Sequence, residues 1–249
     1  MKFLYSLYRI IIYPILLLMT ALISICVIIV SVFSEKAAYV LPIAHSRLLT
    51  FFIPIRLKIF GKKNLEKGQS YVFVINHNSA LDIGAVYAGL KRDIRWVMKK
   101  ELTDVPVFGT ACRKLGNIPI DRKNPNKAVE SINVAKQKIR DGVCLAFFPE
   151  GTRRDDVLLG PFKKGAFHFA IDIGIPVVPI TLVGMEKIMP KTSRLFYPGK
   201  VKMFIHSPIE SKEYTKQSVD DFSDKARLVI ESTLKREYSD DYFKKVIND

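Results

Sequence analysis

An uninterrupted apolar stretch near the N-terminus constrains this chain more than any other feature. From Ile10 to Phe33 the sequence contains no charged residue, while Lys2 and Arg9 precede the stretch and Glu35 follows it. The stretch is longer than the ~18 residues that make a transmembrane candidate and longer than the roughly 7–15 residues of a signal-peptide core. Because no small-residue cleavage site follows, the sequence predicts a retained membrane-attachment helix.

A second apolar segment, Ala37 to Phe60, is interrupted by Arg47, Arg56 and Lys58. This mixed character predicts a helix that lies at the membrane interface, with its basic side chains reaching lipid phosphates. Either the first segment spans the bilayer, or the two segments form a hairpin that dips into one leaflet. Basic residues at both ends of the first stretch do not choose between these arrangements. Residues 1–60 are therefore interpreted as membrane-attachment segments, and residues 61–249 as an α/β domain.

Beyond residue 60, short apolar runs alternate with amphipathic stretches. Five runs are predicted as strands: Tyr71–Ile75, Ile94–Met98, Val143–Phe148, Val177–Val183 and Val201–Ile205. Several are apolar throughout, as buried strands of a parallel sheet are. Helices are predicted over Asn124–Arg140 and near the C-terminus, where Ser218 and Asp221 resemble a capping box. The alternation predicts an α/β fold: a largely parallel sheet flanked by helices and preceded by an N-terminal hydrophobic helix pair.

The charge of the chain points to an anionic partner. The formal net charge is +15, from 39 basic and 24 acidic residues. Such an excess suits a nucleic acid, a membrane surface or a phosphorylated substrate. No nucleic-acid-binding motif and no aromatic–basic platform is present, so a nucleic acid is not the expected partner.

The cysteines indicate a reducing compartment. Cys26, Cys112 and Cys144 are far apart in the sequence and have no C-x-x-C spacing. This pattern is typical of free thiols and not of a metal or redox motif. The globular domain is therefore expected on the cytoplasmic side of a membrane.

A histidine and an aspartate follow the strand Tyr71–Ile75, where the chain reads Asn76-His77-Asn78-Ser79-Ala80-Leu81-Asp82. In α/β sheets, functional residues gather at the carboxyl ends of strands. A histidine can act as a general base when one ring nitrogen faces the substrate and the other donates to a carboxylate. Five positions along one continuous helix would place the two side chains about 140° apart. His77 must therefore lie before or at the helix start. The alternative is that Asn76 or Asp82 caps the helix and His77 is a surface residue.

Two further segments carry polar residues after apolar runs. Phe148-Pro149-Glu150-Gly151-Thr152-Arg153 directly follows the strand Val143–Phe148, and Gly116-Asn117-Ile118-Pro119-Ile120-Asp121-Arg122 brings a second arginine out of a short apolar piece. A glycine lets the backbone come close to a ligand, and a guanidinium can fork onto phosphate oxygens. Taken alone, each segment is better interpreted as a turn or a solvated ion pair than as a ligand site.

Together and in this order, the three segments resemble the sequence blocks of the glycerolipid acyltransferase family, specifically 1-acylglycerol-3-phosphate (lysophosphatidic acid) acyltransferases. They match or resemble its N-H-x-x-x-x-D, G-x-x-x-I-D-R and F-P-E-G-T-R blocks, and Pro176–Ile180 resembles a fourth block that lines the substrate site. The segments Lys99–Leu102 and Phe162–Gly165 also look like those of this family. The resemblance covers about residues 60 to 205.

The resemblance implies a direct acyl transfer that gives phosphatidic acid. His77, oriented by Asp82, would deprotonate the sn-2 hydroxyl of 1-acylglycerol 3-phosphate, which attacks an acyl thioester without a covalent acyl-enzyme. The residues implied to hold the glycerol phosphate are Lys100, Arg122, Glu150, Gly151, Thr152 and Arg153. The implied donor is a thioester of acyl carrier protein or coenzyme A, with no other cofactor and no metal. The implied location is the cell membrane, with the catalytic domain on the cytoplasmic side.

Other functions fit the sequence less well. This chain does not contain the G-x-S-x-G elbow of a serine hydrolase. Gly160–Gly165 has the spacing of a phosphate-binding loop, but it is followed by Ala166 where that loop has a lysine. His45, His168 and His206 are isolated in the sequence, so no metal site is predicted. Two alternatives stay open: an acyltransferase acting on glycerol 3-phosphate or another lysolipid, and a non-catalytic basic protein that binds membrane surfaces. The second does not explain the polar segments at two strand ends.

Overall fold

The computed structural model describes residues 2–122, 124–136, 142–154, 156–192 and 195–238. Its sheet consists of β1 (Ile55–Phe60), β2 (Val72–Ile75), β3 (Ile94–Lys99), β4 (Ile118–Ile120), β5 (Cys144–Phe147), β6 (Val177–Val183) and β7 (Gly199–Ile205). The strands lie in the order β1-β7-β6-β2-β5-β3-β4. Neighbouring strands are parallel except for the antiparallel pair β6 and β7. The predicted α/β class with a largely parallel sheet is confirmed.

Helices cover both faces of the sheet. They are α1 (Lys2–Phe33), α2 (Glu35–Ala38), α3 (Val40–Phe52), α4 (Asp82–Leu90), α5 (Phe108–Lys114), α6 (Pro125–Lys136), α7 (Gly165–Ile173), α8 (Met185–Ile188) and α9 (Val219–Glu237). One core contains side chains of α1, α3, α4 and α8, and the core on the opposite face contains side chains of α6, α7 and α9.

The central strands are apolar because both of their faces are buried. Every residue of β2, β5 and β6 is buried. Side chains alternate between the two cores, with Phe73 in one and Val74 in the other. This two-sided burial is what removes the usual apolar–polar alternation from such strands. All five predicted strands are present, and their ends agree with the prediction to within two residues.

The prediction of an interfacial helix over Ala37–Phe60 is wrong in its last part. Helix α3 ends at Phe52, and β1 pairs in parallel with β7 at the edge of the sheet. The reason is the period-two alternation within β1, where Ile55, Leu57 and Ile59 pack against the core while the intervening basic side chains are exposed. Such alternation is typical of a strand with one solvent-facing side. The division of function at residues 60 and 61 stays a prediction.

Both helices predicted for the globular domain, α6 and α9, are present. Helix α6 begins at Pro125, whereas the predicted end at Arg140 lies outside the described residues. Helix α9 begins after Ser218, but no capping box forms there because the Ser218 hydroxyl accepts the N–H of Thr215 at 2.9 Å. The buried stripe of α9 comprises Phe222, Ala226, Ile230 and Leu234.

Helices α1 and α3 pack against each other as an antiparallel hairpin. The Tyr8 hydroxyl donates to the carbonyl of Phe52, and Thr20 Oγ1 lies 3.1 Å from His45 Nε2. In the part of the chain that the structure describes, Ile10–Phe33 is the one helical segment long and apolar enough to cross a membrane. Whether this segment spans the bilayer or dips into one leaflet stays a prediction.

Candidate active site

The three polar segments predicted from the sequence meet at one edge of the sheet. Strands β2, β5, β3 and β4 are neighbours and run parallel, so their carboxyl ends lie together. His77 follows β2, Glu150 follows β5 and Arg122 follows β4. The fold therefore brings together residues that are more than seventy positions apart, as in Glu150 Oε1 accepting from the His77 N–H.

His77 and Asp82 form a hydrogen-bonded pair at the centre of this edge. His77 Nδ1 lies 2.7 Å from Asp82 Oδ2, with the histidine side chain 15% exposed and the aspartate fully buried. Asp82 is the first residue of α4, and His77 lies in the loop before it. The predicted geometry, with His77 ahead of the helix and Asp82 turned back towards its ring, is confirmed.

The surroundings of Asp82 determine which ring nitrogen carries the proton. Oδ2 also accepts the backbone N–H groups of Asn78 and Ser79, each at 2.9 Å. A carboxylate oxygen that receives these donors acts as an acceptor, so Nδ1 of the histidine donates to it. The other ring nitrogen, Nε2, is left with its lone pair and has no partner among the described residues. A histidine in this tautomer can accept a proton from a bound hydroxyl.

Two buried asparagines hold the loop that carries His77. The Asn76 amide accepts the N–H of Leu182 at 2.8 Å and donates to its carbonyl at 2.9 Å, as a neighbouring strand would. The Asn76 amide also donates to Asn78 Oδ1 at 2.8 Å, and Asn78 donates to the carbonyl of Asp156 at 2.6 Å. Neither Asn76 nor Asp82 caps α4. These amides tie the loop to β6 and to the segment after β5.

Glu150 also holds the backbone of His77 in place through a hydrogen bond. Its buried carboxylate accepts the N–H of His77 at 3.0 Å and the N–H of Gly160 at 2.9 Å. Burial raises the pKa of the Glu150 carboxyl, and the two N–H donors oppose that rise. The N–H of Arg154 donates to the carbonyl of His77 at 2.9 Å. Glu150 is thus a positioning residue for His77, and its predicted contact with glycerol phosphate stays a prediction.

Replacing Glu150 with alanine is expected to lower both stability and turnover. The substitution leaves two buried N–H groups without an acceptor, which costs about 2–4 kcal/mol of unfolding free energy. It also frees the backbone of His77, so kcat falls at least about tenfold. Denaturant unfolding and steady-state acylation in detergent measure the two effects.

His206→Ala is the control for destabilisation alone. His206 Nε2 lies 2.8 Å from Thr181 Oγ1 beneath the far face of the sheet, and burial lowers the pKa of His206 to about 4. Its loss is expected to reduce stability while kcat stays within about twofold. Equal kcat in wild type and Glu150→Ala would contradict the positioning role.

An aromatic stack supports the histidine ring. The rings of His77 and Phe148 are 3.7 Å apart between centroids with an 11° interplanar angle, and Phe148 stacks on Trp96 at 5.2 Å. Trp96 is buried and Phe148 is half-buried. The stack fixes the plane of the imidazole and excludes water from one of its faces.

A pocket with a basic rim lies next to this stack. Its volume is about 290 Å³, and its lining includes Phe148, Gly151, Arg122 and Lys163. The Arg122 guanidinium donates to the carbonyl of Gly151. Gly151 has φ +74°, and a Cβ there would lie 2.9 Å from Lys163 Cε. The left-handed backbone favours glycine here, and the missing side chain lets Lys163 lie close to the backbone.

An apolar groove of about 250 Å³ lies beside the loop that carries His77. Its walls come from the N-terminal helices and from the globular domain, and they include Val27, Leu49, Leu81 and Trp96. Leu81 directly precedes Asp82, so the groove reaches the loop that carries His77. An extended hydrocarbon chain suits such a lining.

The remaining predicted residues lie at the same edge with different exposure. Lys100 follows β3 and is exposed, as is Thr152, whereas Arg153 is half-buried and pairs with no residue in the described ranges. Arg154, which the sequence did not single out, has its guanidinium on Asp156 at 3.0 and 3.2 Å. Of the two neighbouring arginines, Arg153 is thus the one available to an anionic ligand.

Sequence reasoning missed several supporting residues. Asn76, Asn78, Trp96 and Lys163 were not predicted to act at the site. The N-x-N spacing around His77 was a usable signal for the two asparagines, because buried amides are expected to satisfy backbone groups. The segment Phe162–Gly165 was a usable signal for Lys163, whereas nothing local marked Trp96, which tertiary packing alone brings to the site.

The structure also bears on metal chemistry and on the thiols. Within the described ranges, no group of three or more His, Cys, Asp or Glu side chains could hold a metal ion. The three cysteines are free, with Cys112 and Cys144 buried and Cys26 exposed.

Comparison with known proteins places this geometry in context. A family model described as Acyltransferase matches residues 56–183. The chain is 40% identical over 153 residues to 1-acyl-sn-glycerol-3-phosphate acyltransferase BAT2, chloroplastic, of Brassica napus, covering 61% of this chain and 44% of that protein. It is 31% identical over 194 residues to the human 1-acyl-sn-glycerol-3-phosphate acyltransferase alpha, covering 78% of this chain and 68% of that protein.

The fold is similar to that of a solved structure. The crystal structure of the 1-acyl-sn-glycerophosphate (LPA) acyltransferase PlsC from Thermotoga maritima superimposes with a TM-score of 0.78 at 23% identity, covering 93% of this chain and 96% of that one. The chain spans about half the length of the first curated relatives that it matches, at 44%, 45% and 53%.

Proposed function

This chain belongs to the acyltransferase family, and on that premise we propose that it transfers an acyl group from an acyl thioester to the sn-2 hydroxyl of 1-acylglycerol 3-phosphate, giving phosphatidic acid. The observation that carries the proposal is the His77–Asp82 pair. In this pair, Nδ1 of His77 donates to Asp82 Oδ2 at 2.7 Å, and Nε2 has no hydrogen-bond partner among the described residues. A general base at a strand end, beside a basic pocket and an apolar groove, suits a substrate with a phosphate and an acyl chain.

The chemistry follows from the tautomer. His77 Nε2 accepts the proton of the sn-2 hydroxyl as the oxygen attacks the thioester carbonyl, and Asp82 stabilises the imidazolium that forms. The tetrahedral intermediate collapses with cleavage of the C–S bond, and the departing thiolate takes the proton from Nε2. The ester is the product, and His77 returns to its starting tautomer. No covalent acyl-enzyme is needed in this sequence of steps.

The two cavities suggest where the parts of the substrates bind. The basic-rimmed pocket is proposed to take the glycerol phosphate, with Arg153, Arg122 and Lys100 around its dianion. The apolar groove is proposed to take an acyl chain. The donor is the thioester of acyl carrier protein or of coenzyme A, both of which are anionic and suit the net charge of +15. No cofactor or metal takes part in the proposed reaction.

The apolar N-terminal helix supports attachment to a membrane. Segment Ile10–Phe33 leaves large apolar side chains exposed, including Leu17 and Leu18. We place the protein at the cell membrane, with the globular domain on the cytoplasmic side. An acceptor that already carries one acyl chain resides in the same bilayer, which favours it over glycerol 3-phosphate.

An acceptor panel on vesicles tests the proposal and its phosphate contact. Wild-type protein should acylate 1-acylglycerol 3-phosphate and should leave 1-acylglycerol nearly unreacted. Arg153→Gln is expected to raise KM for the phosphate-bearing acceptor about 10–100-fold, which corresponds to the loss of a charge-assisted hydrogen bond, with little change for the donor.

The same assay includes a control variant and distinguishes the two alternative functions. Arg227→Gln, on α9 at the opposite face, removes the same charge and should leave both KM values unchanged. Preference for glycerol 3-phosphate would support the alternative acceptor. Failure to acylate any acceptor with either donor, despite vesicle binding, would support a non-catalytic membrane-binding protein instead.

A further inference from the structure

A loop between β3 and α5 exposes apolar side chains at a position remote in sequence from the N-terminal helices. In residues 102–107, here named the apolar loop, Leu102, Val105 and Val107 are 40%, 45% and 37% exposed. Pro106 between the two valines is also exposed. Single exposed apolar residues are ordinary on a protein surface, but a cluster of them in one short loop indicates an interaction site.

The apolar loop is held in this shape by its own hydrogen bonds. The carbonyl of Thr103 accepts from the Arg113 guanidinium at 2.7 Å, and the carbonyl of Val105 accepts the N–H of Gly109 at 2.8 Å. A Cβ on Gly109 would lie 2.1 Å from the Thr103 carbonyl oxygen, so only glycine allows the turn to close. Val107 has φ +63°, which a β-branched residue strongly disfavours. The exposure is therefore built into the backbone.

The position of the apolar loop makes it continuous with the membrane-attachment helices. Helix α5 starts at Phe108, directly after the loop, and its Ala111 packs in one cluster with Val27 of α1. Leu102 and Phe108 line the same groove as Ile23 of α1. The exposed face of α1 and the apolar loop thus flank one opening.

Basic side chains surround the apolar loop. The exposed ones nearest in sequence are Lys99, Lys100, Arg113 and Lys114. Two acidic residues lie among them: Glu101, which pairs with Lys99 at 3.2 Å, and the exposed Asp104. An apolar tip within a mainly basic rim suits the boundary between anionic headgroups and acyl chains.

We propose that the apolar loop inserts into the same leaflet as the α1–α3 hairpin, giving the globular domain a second contact with an anionic bilayer at the opening of the groove. This contact goes beyond the proposed function, because it requires no acyl transfer. With two separated contacts the domain cannot swing about the N-terminal hairpin, so the groove and His77 keep a fixed height above the lipid.

Depth-dependent fluorescence tests the insertion directly. In full-length protein carrying Cys26→Ser, Val105→Cys is labelled with an environment-sensitive dye, and Leu228→Cys on α9 is the matched control because Leu228 is 59% exposed on the far side of the sheet. Both proteins are bound to phosphatidylglycerol–phosphatidylcholine vesicles containing lipids brominated along the acyl chain. The label at 105 should shift to the blue and be quenched, whereas the label at 228 should keep the emission it has in water.

Equal, unquenched emission at both positions would overturn the proposal. A blue shift at 105 that occurs without vesicles and is not quenched by brominated lipid would also overturn it, because a second copy of the chain would then cover the loop. A blue shift that requires acyl carrier protein and not lipid would do the same.

Kinetics provide a second readout that does not depend on a dye. Val107→Asn replaces a β-branched residue at a positive φ with one that tolerates positive φ better, and circular dichroism checks that the variant is folded. Combined with Val105→Asp, it should raise KM for vesicle-embedded acceptor about tenfold, as expected when buried apolar area is lost, while kcat is kept. Leu228→Asp should change neither value, and the same result for the loop variant would contradict the proposal. If wild-type protein has no activity, the proposed function fails while the quenching result still decides the loop contact.

Discussion

Replacement of His77 by alanine is expected to reduce acyl transfer by about three orders of magnitude, within the 10²–10⁴ range attributed to a positioned general base. The mutant lacks any group at the position of Nε2 to accept the hydroxyl proton. The bond between His77 Nδ1 and Asp82 is lost as well, but the Asp82 carboxylate keeps the N–H groups of Asn78 and Ser79. The loop should therefore stay folded, and kcat should fall while vesicle binding is kept.

His168→Ala is the matched control for this experiment, because His168 is a half-buried histidine on α7 and does not contact the pair. Its turnover should equal that of wild type within about twofold. Circular dichroism and a flotation assay with vesicles check folding and binding of both variants. If His77→Ala kept more than a tenth of wild-type turnover, His77 would not be the general base.

Two substitutions of Asp82 are expected to separate its charge from its hydrogen bonds. In Asp82→Asn the amide oxygen can replace Oδ2 and accept from His77 Nδ1, Asn78 and Ser79, so the tautomer is preserved. The charge that stabilises the imidazolium is lost, and kcat should fall about 10²–10³-fold. In Asp82→Ala two buried N–H groups also lose their acceptor, which should lower the unfolding free energy by about 2–4 kcal/mol.

The two Asp82 variants therefore predict different patterns in two measurements. Asp82→Asn should reduce turnover strongly with a small loss of stability. Asp82→Ala should reduce both turnover and stability. Asp82 Oδ1 is buried without a hydrogen-bond partner among the described residues, so the amide NH₂ placed there accounts for the small loss. Unchanged turnover in Asp82→Asn would show that the charge does not assist the reaction.

The parts of the site that could be predicted from sequence are those built from neighbouring residues. His77 and Asp82 lie within one loop and the first turn of α4, so the spacing alone required the histidine to precede the helix. Residues at the ends of β2 and β5 could be assigned to one edge because buried apolar runs indicate neighbouring parallel strands. Both inferences depend on periodicity and connectivity, which are local properties.

Features that arise from tertiary packing could not be predicted. The function of Glu150 as an anchor depends on the N–H of Gly160, and the aromatic stack requires Trp96 of β3 to meet Phe148. The groove exists only because α1 docks on α5. By contrast, β1 was predictable: Arg56 and Lys58 alternate with apolar residues, and the interpretation as an interfacial helix gave their charge more weight than their period.

The position of the transferred acyl chain tests the central claim most directly. Full-length protein in vesicles would be given 1-acylglycerol 3-phosphate and an isotopically labelled acyl thioester, and the product would be digested with a lipase that cleaves the sn-2 ester. The account predicts labelled phosphatidic acid whose label is released entirely by this digestion, and about a thousandfold less product with His77→Ala. Absence of labelled phosphatidic acid with both acyl carrier protein and coenzyme A donors, or equal product from His77→Ala, would contradict it.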